Sequence, residues 1–437
     1  MEKFSPTISI IPVRDYSRLL KRMGISYRMD GYYLVYGEMG NSGKARIYFS
    51  VVISQVPGLF TFLIPMLVSM DIPFAVARDE RSAMVVLNGA AGAAHVGKVM
   101  VLEVPDDMEA LISRIAPLMK NFRGPAVPGK RLLSKNIYAD KVGTAALGSS
   151  SPMVQVLAGK YIVISSLKDD PKGEVLKALF LGRFCMPKWC LIKEGRQFMI
   201  SDAAGRDMGD RLRWQKQVFD RLSGIVPMPR VFDQFSENGN CYLVMEWIRG
   251  MNIGKVIDGV YKGRVWTGLD AKEKKFLMGL LVEVTDIIAQ VHTSGFLHRD
   301  LSTANFLVTK NMDIYLIDWE LAFDVKAQFP LPPFGFGTPG FISPEQNLGE
   351  VPSAGQDIYS LCALMVVFFT GIRPVDLSVE ERRDMKGYIN GKTGEPTVAG
   401  IIALGMDRQP EKRPELEEIR KVLLELADGI DAGMDRL

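Results

Sequence analysis

The stretch FLHRDLSTANFLV, Phe296 to Val308, constrains this chain more than any other. It sets His298, Arg299, Asp300 and Asn305 into an otherwise apolar run. Nothing about a buried strand requires four strongly polar side chains. A strand–turn–strand pattern, FLVTKNMDIYLI, follows and delivers Asp318 within LIDWE. The spacing is HRDLxxxN with a later Asp, and it suits phosphoryl transfer from ATP. That reaction asks for little covalent chemistry from a protein. It needs a carboxylate to receive or orient the nucleophile's proton, metal ligands, a cation on the phosphates and backbone donors above them. Asp300 is the expected base. Asn305 and Asp318 are the expected magnesium ligands, because magnesium prefers hard oxygen donors beside phosphate oxygens. Taken alone, each piece has a plainer reading, a His-Arg-Asp on a solvated loop or an Asp-Trp-Glu turn. Their conjunction with GTPGFISPEQ (Gly337 to Gln346), DIYSL (Asp357 to Leu361) and a later KRP around Arg413 argues against coincidence.

With 437 residues the chain has room for two or three domains, and 47% hydrophobic with 24% charged residues is an ordinary globular balance. A net charge of only +3 gives no footprint for nucleic acid. Cys185, Cys190, Cys241 and Cys362 form no CxxC pair and no zinc spacing with the three histidines, so free thiols in a reducing cytoplasm are expected. The N-terminus lacks the apolar core of a secretory signal. The uncharged run Ile47 to Met70 is long enough for a bilayer. Its scattered Ser, Thr and Gln residues and its Pro57-Gly58 break favour a strand ending near Ser54 and a buried helix from about Pro57. No membrane span is expected.

Along the chain, ARIYFSVVI, PFAVARD, SAMVVLN and KVMVLEVP read as strands, and DMEALISRIAPLMKNF reads as a helix. VGTAALGSSSP is a small-residue linker. Beyond it come the strand patterns KYIVISSL, EVLKALFLG and KWCLIKEG, a helix DRLRWQKQVFDRL, a strand YLVMEW, and then mostly helix from Asp270. The expected fold is α+β. An α+β domain (1–141) and a linker (142–152) precede a strand-rich small lobe (153–249) and a helical large lobe (250–437), the order of a bilobal kinase.

From about Tyr161 to Leu426 the chain resembles the protein kinase superfamily. By that resemblance Lys193, in WCLIKEG, contacts the α- and β-phosphates and counts with Asp300 and Arg299 among the catalytic residues. Glu246 to Ile248 form the hinge that faces adenine. Glu345 pairs with Arg413, and Asp357 holds the backbone of the catalytic loop. Several positions depart from the pattern. In SSLKDDPKGEVLKAL only Gly173, followed by Val175, matches the glycine-rich loop, so phosphate contacts there are expected to be weaker or to depend on Lys168 or Lys172. Gln215 stands where a glutamate normally meets the strand lysine, DFG has become DWE, and Ser302 replaces a lysine. Asp318 to Gly337 contains no Ser, Thr or Tyr, so the loop is expected to be ordered without phosphorylation, with Thr338 helping to position Asp300.

These departures resemble the kinase domain of class III and class IV lanthipeptide synthetases, on LIKEGRQFMISDAAGRDMGDRL, LSGIVPMPRVFDQF and YLVMEWIRGMNI. That resemblance implies phosphorylation of Ser and Thr in a precursor peptide (leader plus core), with ATP and magnesium. It also implies an N-terminal domain related to the lyase that eliminates the phosphate. There Arg46 and Tyr48 occupy positions where Lys and His would stand. Arg46 would bind phosphate and Lys98 would serve as base, or the domain is a degenerate docking scaffold, the reading preferred here. His95 is expected to be structural. The chain ends without a zinc-bearing cyclase, so separate lyase and cyclase proteins are the expected partners. Two other readings are a regulatory Ser/Thr kinase with an unrelated N-terminal domain and a pseudokinase adaptor that binds peptide.

Overall fold

The computed structural model describes residues 15–40, 46–103, 108–140, 155–181 and 186–434. The linker 142–152 and Cys185 lie outside the described residues. Cys190, Cys241 and Cys362 are buried free thiols. The chain divides into two compact units, Met1–Lys188 with Ile192–Asp210 and Phe235–Tyr242, and Trp189–Leu191 with Arg211–Gln234 and Leu243–Leu437.

The first unit opens with a seven-stranded sheet built from β1 (Arg28–Asp30), β2 (Tyr33–Tyr36), β3 (Arg46–Phe49), β4 (Phe74–Ala77), β5 (Met100–Glu103), β6 (Arg131–Ser134) and β7 (Ile137–Ala139). The strands run β1-β2-β4-β5-β3-β7-β6, each paired antiparallel with its neighbour. One face packs against α1 (Ser17–Arg22), α2 (Val56–Ser69), α3 (Glu80–Leu87) and α4 (Met108–Ile115) around a core that includes Ile47, Phe49, Leu63 and Phe74. Strand alternation sends Tyr48, Val35, Ala75 and Val101 to the opposite face.

Two expectations need correction here. SAMVVLN is not a strand but lies mostly in α3. Asp79 caps that helix by accepting from the Ser82 N–H at 2.7 Å, and Ala83, Val86 and Leu87 fall on one buried stripe. Helical spacing and a cap outweigh the β-propensity of two valines. The segment from Ile47 becomes a strand ending at Phe49, earlier than Ser54, then a turn and the 14-residue α2. The strand stops where the Val52 N–H bonds the Arg123 carbonyl instead of a ladder partner, at 2.6 Å. Among the described residues one helix, Ala271–Thr293, is long and apolar enough to cross a membrane, and half of its apolar window is buried in the protein.

The same chain region continues into β8 (Val156–Leu157), β9 (Tyr161–Asp170), β10 (Gly173–Leu181) and β11 (Pro187–Gly195). With β12 (Val231–Glu237) and β13 (Asn240–Glu246) they make a six-stranded sheet ordered β12-β13-β11-β10-β9-β8. β9 and β10 form a hairpin turning at Pro171-Lys172. Gly173 has φ +148°, and a Cβ there would overlap the Glu194 carbonyl oxygen on the adjoining strand. Gly173→Ala is therefore expected to cost more than about 1 kcal/mol, since an incompatible backbone site loses more than the entropy gained. A lower midpoint in thermal denaturation would show it.

The second unit holds α5 (Met208–Leu222) from Arg211 onward, α6 (Ile253–Tyr261), α7 (Ala271–Thr293), α8 (Pro344–Asn347) and α9 (Ala354–Thr370). α7 starts from a capping box, Asp270 with Glu273, and buries Leu277, Leu280, Leu281, Val284, Ile287, Ile288 and Val291, the stripe its sequence spacing shows. Two small sheets lie in the same unit. One orders β14 (Gly250–Asn252), β16 (Phe306–Thr309) and β17 (Ile314–Leu316), and the other pairs β15 (Phe296–Leu297) with β18 (Phe323–Asp324).

Candidate active site

The polar cluster of the opening motif sits in the turn between β15 and β16. Asp357, near the start of α9, is fully buried and accepts from the backbone N–H groups of His298 at 2.9 Å and Arg299 at 2.8 Å. His292 Nε2 lies 3.0 Å from the same carboxylate. Burial alone would raise the Asp357 carboxyl, but the His292 contact and the His298 backbone N–H outweigh it and hold the group below its ordinary range. An ionised acceptor thus fixes the loop backbone.

His298 is buried, which pushes its imidazole down and keeps it neutral. Its Nδ1 accepts from the Asp300 N–H at 3.2 Å while Nε2 faces the Ile317 carbonyl at 3.0 Å, so the proton resides on Nε2. Arg299 takes a left-handed backbone, φ +65°. Its guanidinium donates to Gln356 Oε1 at 3.1 Å and to the Leu321 and Phe334 carbonyls at 3.0 Å each. Burial lowers it to about 10, still charged at neutral pH. Arg299, expected among the catalytic residues, thus has its buried fork occupied by protein carbonyl oxygens.

Asp300 is the centre of this arrangement. Oδ1 accepts from Thr338 twice, from the backbone N–H at 2.9 Å and from Oγ1 at 2.8 Å. Oδ2 accepts from Asn305 Nδ2 at 3.0 Å, and the same nitrogen donates to the Asp300 carbonyl at 2.7 Å. Burial and then the Asp318 carboxylate push Asp300 up to about 6, with the Thr338 hydrogen bonds opposing them. Asn305 and Asp318 are brought together by the β16–β17 hairpin, where the Ile317 N–H bonds the Asn305 carbonyl at 2.9 Å. With Nδ2 committed to Asp300, Asn305 keeps its amide oxygen as a donor for a hard cation. Among the described residues there is no group of three His, Cys, Asp or Glu side chains suited to a metal. One carboxylate and one amide oxygen still fit magnesium, which takes few protein ligands and completes its shell with phosphate oxygens and water.

Trp319, in the DWE variant, is fully buried, donates to the Leu316 carbonyl at 3.2 Å and sets its edge against His298 with ring centres 4.7 Å apart. The following loop is tied to α5 without any phosphate. Trp214 donates to the Ala322 carbonyl at 2.7 Å, Arg221 pairs with Asp324, and the Arg211 guanidinium lies 4.9 Å from the Phe334 ring centre. Sequence reasoning missed all three anchors, because nothing local marks an Arg or Trp on an amphipathic helix as a loop contact. Removing only the side-chain bond, Thr338→Val is expected to cost about 1.5–3 kcal/mol of support for a charged acceptor. In steady-state assays that reads as a kcat about ten- to a hundredfold lower, with the fold unchanged, and unphosphorylated wild type should be active.

Glu345 and Arg413 form a buried bidentate pair at 2.7 and 2.9 Å, and Arg413 also donates to the Gly355 and Asp407 carbonyls. Glu246 is held by Arg230 at 3.0 Å, its N–H bonds the Arg230 carbonyl at 2.8 Å, and the Ile248 carbonyl accepts from Gly250 at 3.1 Å. Gln215 is buried on α5. In the first unit Lys193 lies on β11, only 8% exposed, and Gly173 and Val175 lie on β10.

A second cluster occupies the open face of the seven-stranded sheet, at a cavity of about 280 Å³ lined by Arg28, Tyr33, Arg46, Tyr48, His95 and Lys98 among others. All three residues expected for the lyase site are there. The Lys98 ammonium stands 4.5 Å from the Tyr48 ring centre, and the Lys130 ammonium 5.1 Å. Tyr48 donates to Asp140 Oδ1 at 3.0 Å, and Lys130 pairs with the same carboxylate. Burial, with the Lys130 and Arg46 cations, lowers Lys98. Burial and the Asp140 carboxylate raise Tyr48. Lys130 and Asp140 were missed from sequence; they reach the cluster only through the β3–β7 pairing. His95 lines this cavity and stacks on Tyr33 with ring centres 6.5 Å apart.

Residues 217–426 match the family described as protein kinase domain. Curated relatives include serine/threonine-protein kinase B of Synechocystis sp., 27% identical over 199 residues, or 43% of this chain and 33% of the relative. Serine/threonine-protein kinase C of the same organism is 24% identical over 269 residues, 60% of this chain and 48% of the relative. The probable serine/threonine-protein kinase PknB of Corynebacterium glutamicum is 28% identical over 235 residues, 51% of this chain and 33% of the relative. The chain thus spans half or less of the length of each of these three.

Proposed function

We propose that this chain, which carries a protein kinase domain over residues 217–426, transfers the γ-phosphoryl group of ATP to Ser and Thr hydroxyls. The observation that carries the reading is Asp300, a half-buried carboxylate oriented by Thr338 and Asn305 beside Asp318. In the step, the acceptor oxygen bonds to the γ-phosphorus and the bond to the β,γ-bridging oxygen breaks. ADP leaves, and the hydroxyl proton passes to Asp300. Asn305 and Asp318 are the residues that would hold magnesium, and Lys193 is the cation assigned to the α- and β-phosphates. When bound, magnesium neutralises charge on the phosphate oxygens.

The acceptor we assign is a ribosomally made precursor peptide, phosphorylated as the first stage of dehydration. The support is the resemblance of LIKEGRQFMISDAAGRDMGDRL and YLVMEWIRGMNI to lanthipeptide synthetase kinases. Support also comes from a cationic cavity in the N-terminal domain that suits a phosphorylated side chain. There, Tyr48 is committed to Asp140 and no histidine stands on β3, so binding of the phosphorylated product is favoured over its elimination.

Incubation with magnesium-ATP and a Ser/Thr-bearing precursor peptide, followed by intact-mass measurement, tests this. Added phosphate supports the kinase reading with a scaffold domain. Loss of water would show a working lyase, and an unchanged peptide would favour a peptide-binding adaptor.

A further inference from the structure

The β9–β10 hairpin, assigned above to the phosphates, has a single matching glycine and so lacks the usual backbone cradle. Its structure shows what holds it instead. Arg196, just beyond β11, donates from Nη1 to the Asp170 carbonyl at 2.9 Å and from Nη2 to Asp169 Oδ1 at 3.1 Å and Glu174 Oε1 at 3.3 Å. Its Nε reaches Glu194 Oε2 at 3.1 Å, and its backbone N–H bonds the Lys172 carbonyl in the turn at 2.9 Å. Glu194 in turn accepts from the Glu174 N–H at 3.1 Å, from Asn240 Nδ2 at 2.8 Å and from the Tyr242 hydroxyl at 3.0 Å. One guanidinium therefore joins both strands of the hairpin, its turn, and the strand that carries Lys193. The far side of the turn is also supported: Gly89, at φ +76°, brings the N-terminal domain so close that a Cβ would lie 2.6 Å from Pro171 Cγ.

Strand alternation gives this cluster a direction. Glu174 and Glu194 both meet Arg196, so their neighbours Val175 and Lys193 point to the opposite face. Arg196 thus braces the hairpin from behind the face that carries Lys193. It also places one positive charge among three carboxylates, Asp169, Glu174 and Glu194, that stand one strand thickness from the face carrying Lys193.

We infer that Arg196 is a positioning residue for the nucleotide's phosphates, an ionic clamp in place of the missing glycines. This rests on the kinase reading above. A residue of this kind affects ligands in proportion to their phosphates, whereas a residue that merely supports the fold affects all nucleotides alike. Calorimetric titration of adenosine, ADP and ATP with magnesium into wild type and Arg196→Ala separates the two. The expected result is an ATP affinity at least about tenfold weaker, the size of effect seen when one partner leaves a charge network. ADP should lose less, and adenosine should stay within about twofold because it carries no charge for the carboxylates to repel. Arg196→Lys keeps the charge without the planar fork and should fall between wild type and Ala. If Arg196→Ala does not fold, the Lys variant carries the same phosphate-graded comparison. Glu174→Gln added to Arg196→Ala should recover part of the ATP loss. Equal losses for all three ligands, or no loss, would overturn the inference. Failure of wild type to bind ATP would instead overturn the kinase reading.

Discussion

Asp300→Asn is expected to slow phosphoryl transfer by about 10²–10⁴-fold, the usual contribution of a general base. The side chains are nearly isosteric, so the amide oxygen can keep both Thr338 contacts, while the bond from Asn305 Nδ2 to the second oxygen is lost. What is lost is the negative charge that receives the proton. The rate should therefore fall while magnesium-ATP binding and the thermal midpoint stay close to wild type. Single-turnover kinetics with calorimetry on the same preparation check both halves. Equal loss of binding and rate would mean that Asp300 acts through the metal site and not on the acceptor hydroxyl.

The largest stability effect is expected at Glu345. Both partners of the Glu345–Arg413 pair are buried, with side chains 6% and 1% exposed. Burial would raise the Glu345 carboxyl, but Arg413 and neighbouring donors outweigh it and hold it below its ordinary range. Glu345→Ala leaves the guanidinium inside with two carbonyl partners and no counter-charge, a change that typically costs about 3–5 kcal/mol. At roughly 2–4 °C per kcal/mol for a domain of this size, the thermal midpoint should drop by about 10 °C. Replacing both partners with apolar side chains of similar volume should cost much less, since no charge is then stranded. A double variant as unstable as Glu345→Ala would show that the pair does more than balance charge.

How much was legible beforehand follows from the kind of signal each element leaves. The turn from His298 to Asn305 was readable because HRDLxxxN and the later Asp318 lie within 25 residues and their spacing survives folding. The stripe of α7 was readable because seven apolar positions, Leu277 to Val291, repeat at helical spacing over about four turns. SAMVVLN was misread because two valines outweighed, in a strand-rich neighbourhood, the Asp79 cap and the spacing of Ala83, Val86 and Leu87. Lys130 and Asp140 were invisible because they join Tyr48 across some 90 residues of chain through strand pairing. Arg196 carries no role readable from LIKEGRQFMISD, since its five partners come from three strands and a turn. Local motifs were thus recoverable from sequence, and long-range electrostatic assemblies were not.

The most direct test of the central claim is transfer of label from γ-labelled ATP to a Ser/Thr-bearing peptide, followed by phosphoamino-acid analysis, with wild type and Asp300→Asn side by side. The account predicts magnesium-dependent phosphoserine or phosphothreonine with wild type and almost none with the variant. Label transferred equally by both proteins, or by neither while ATP binds, would contradict it.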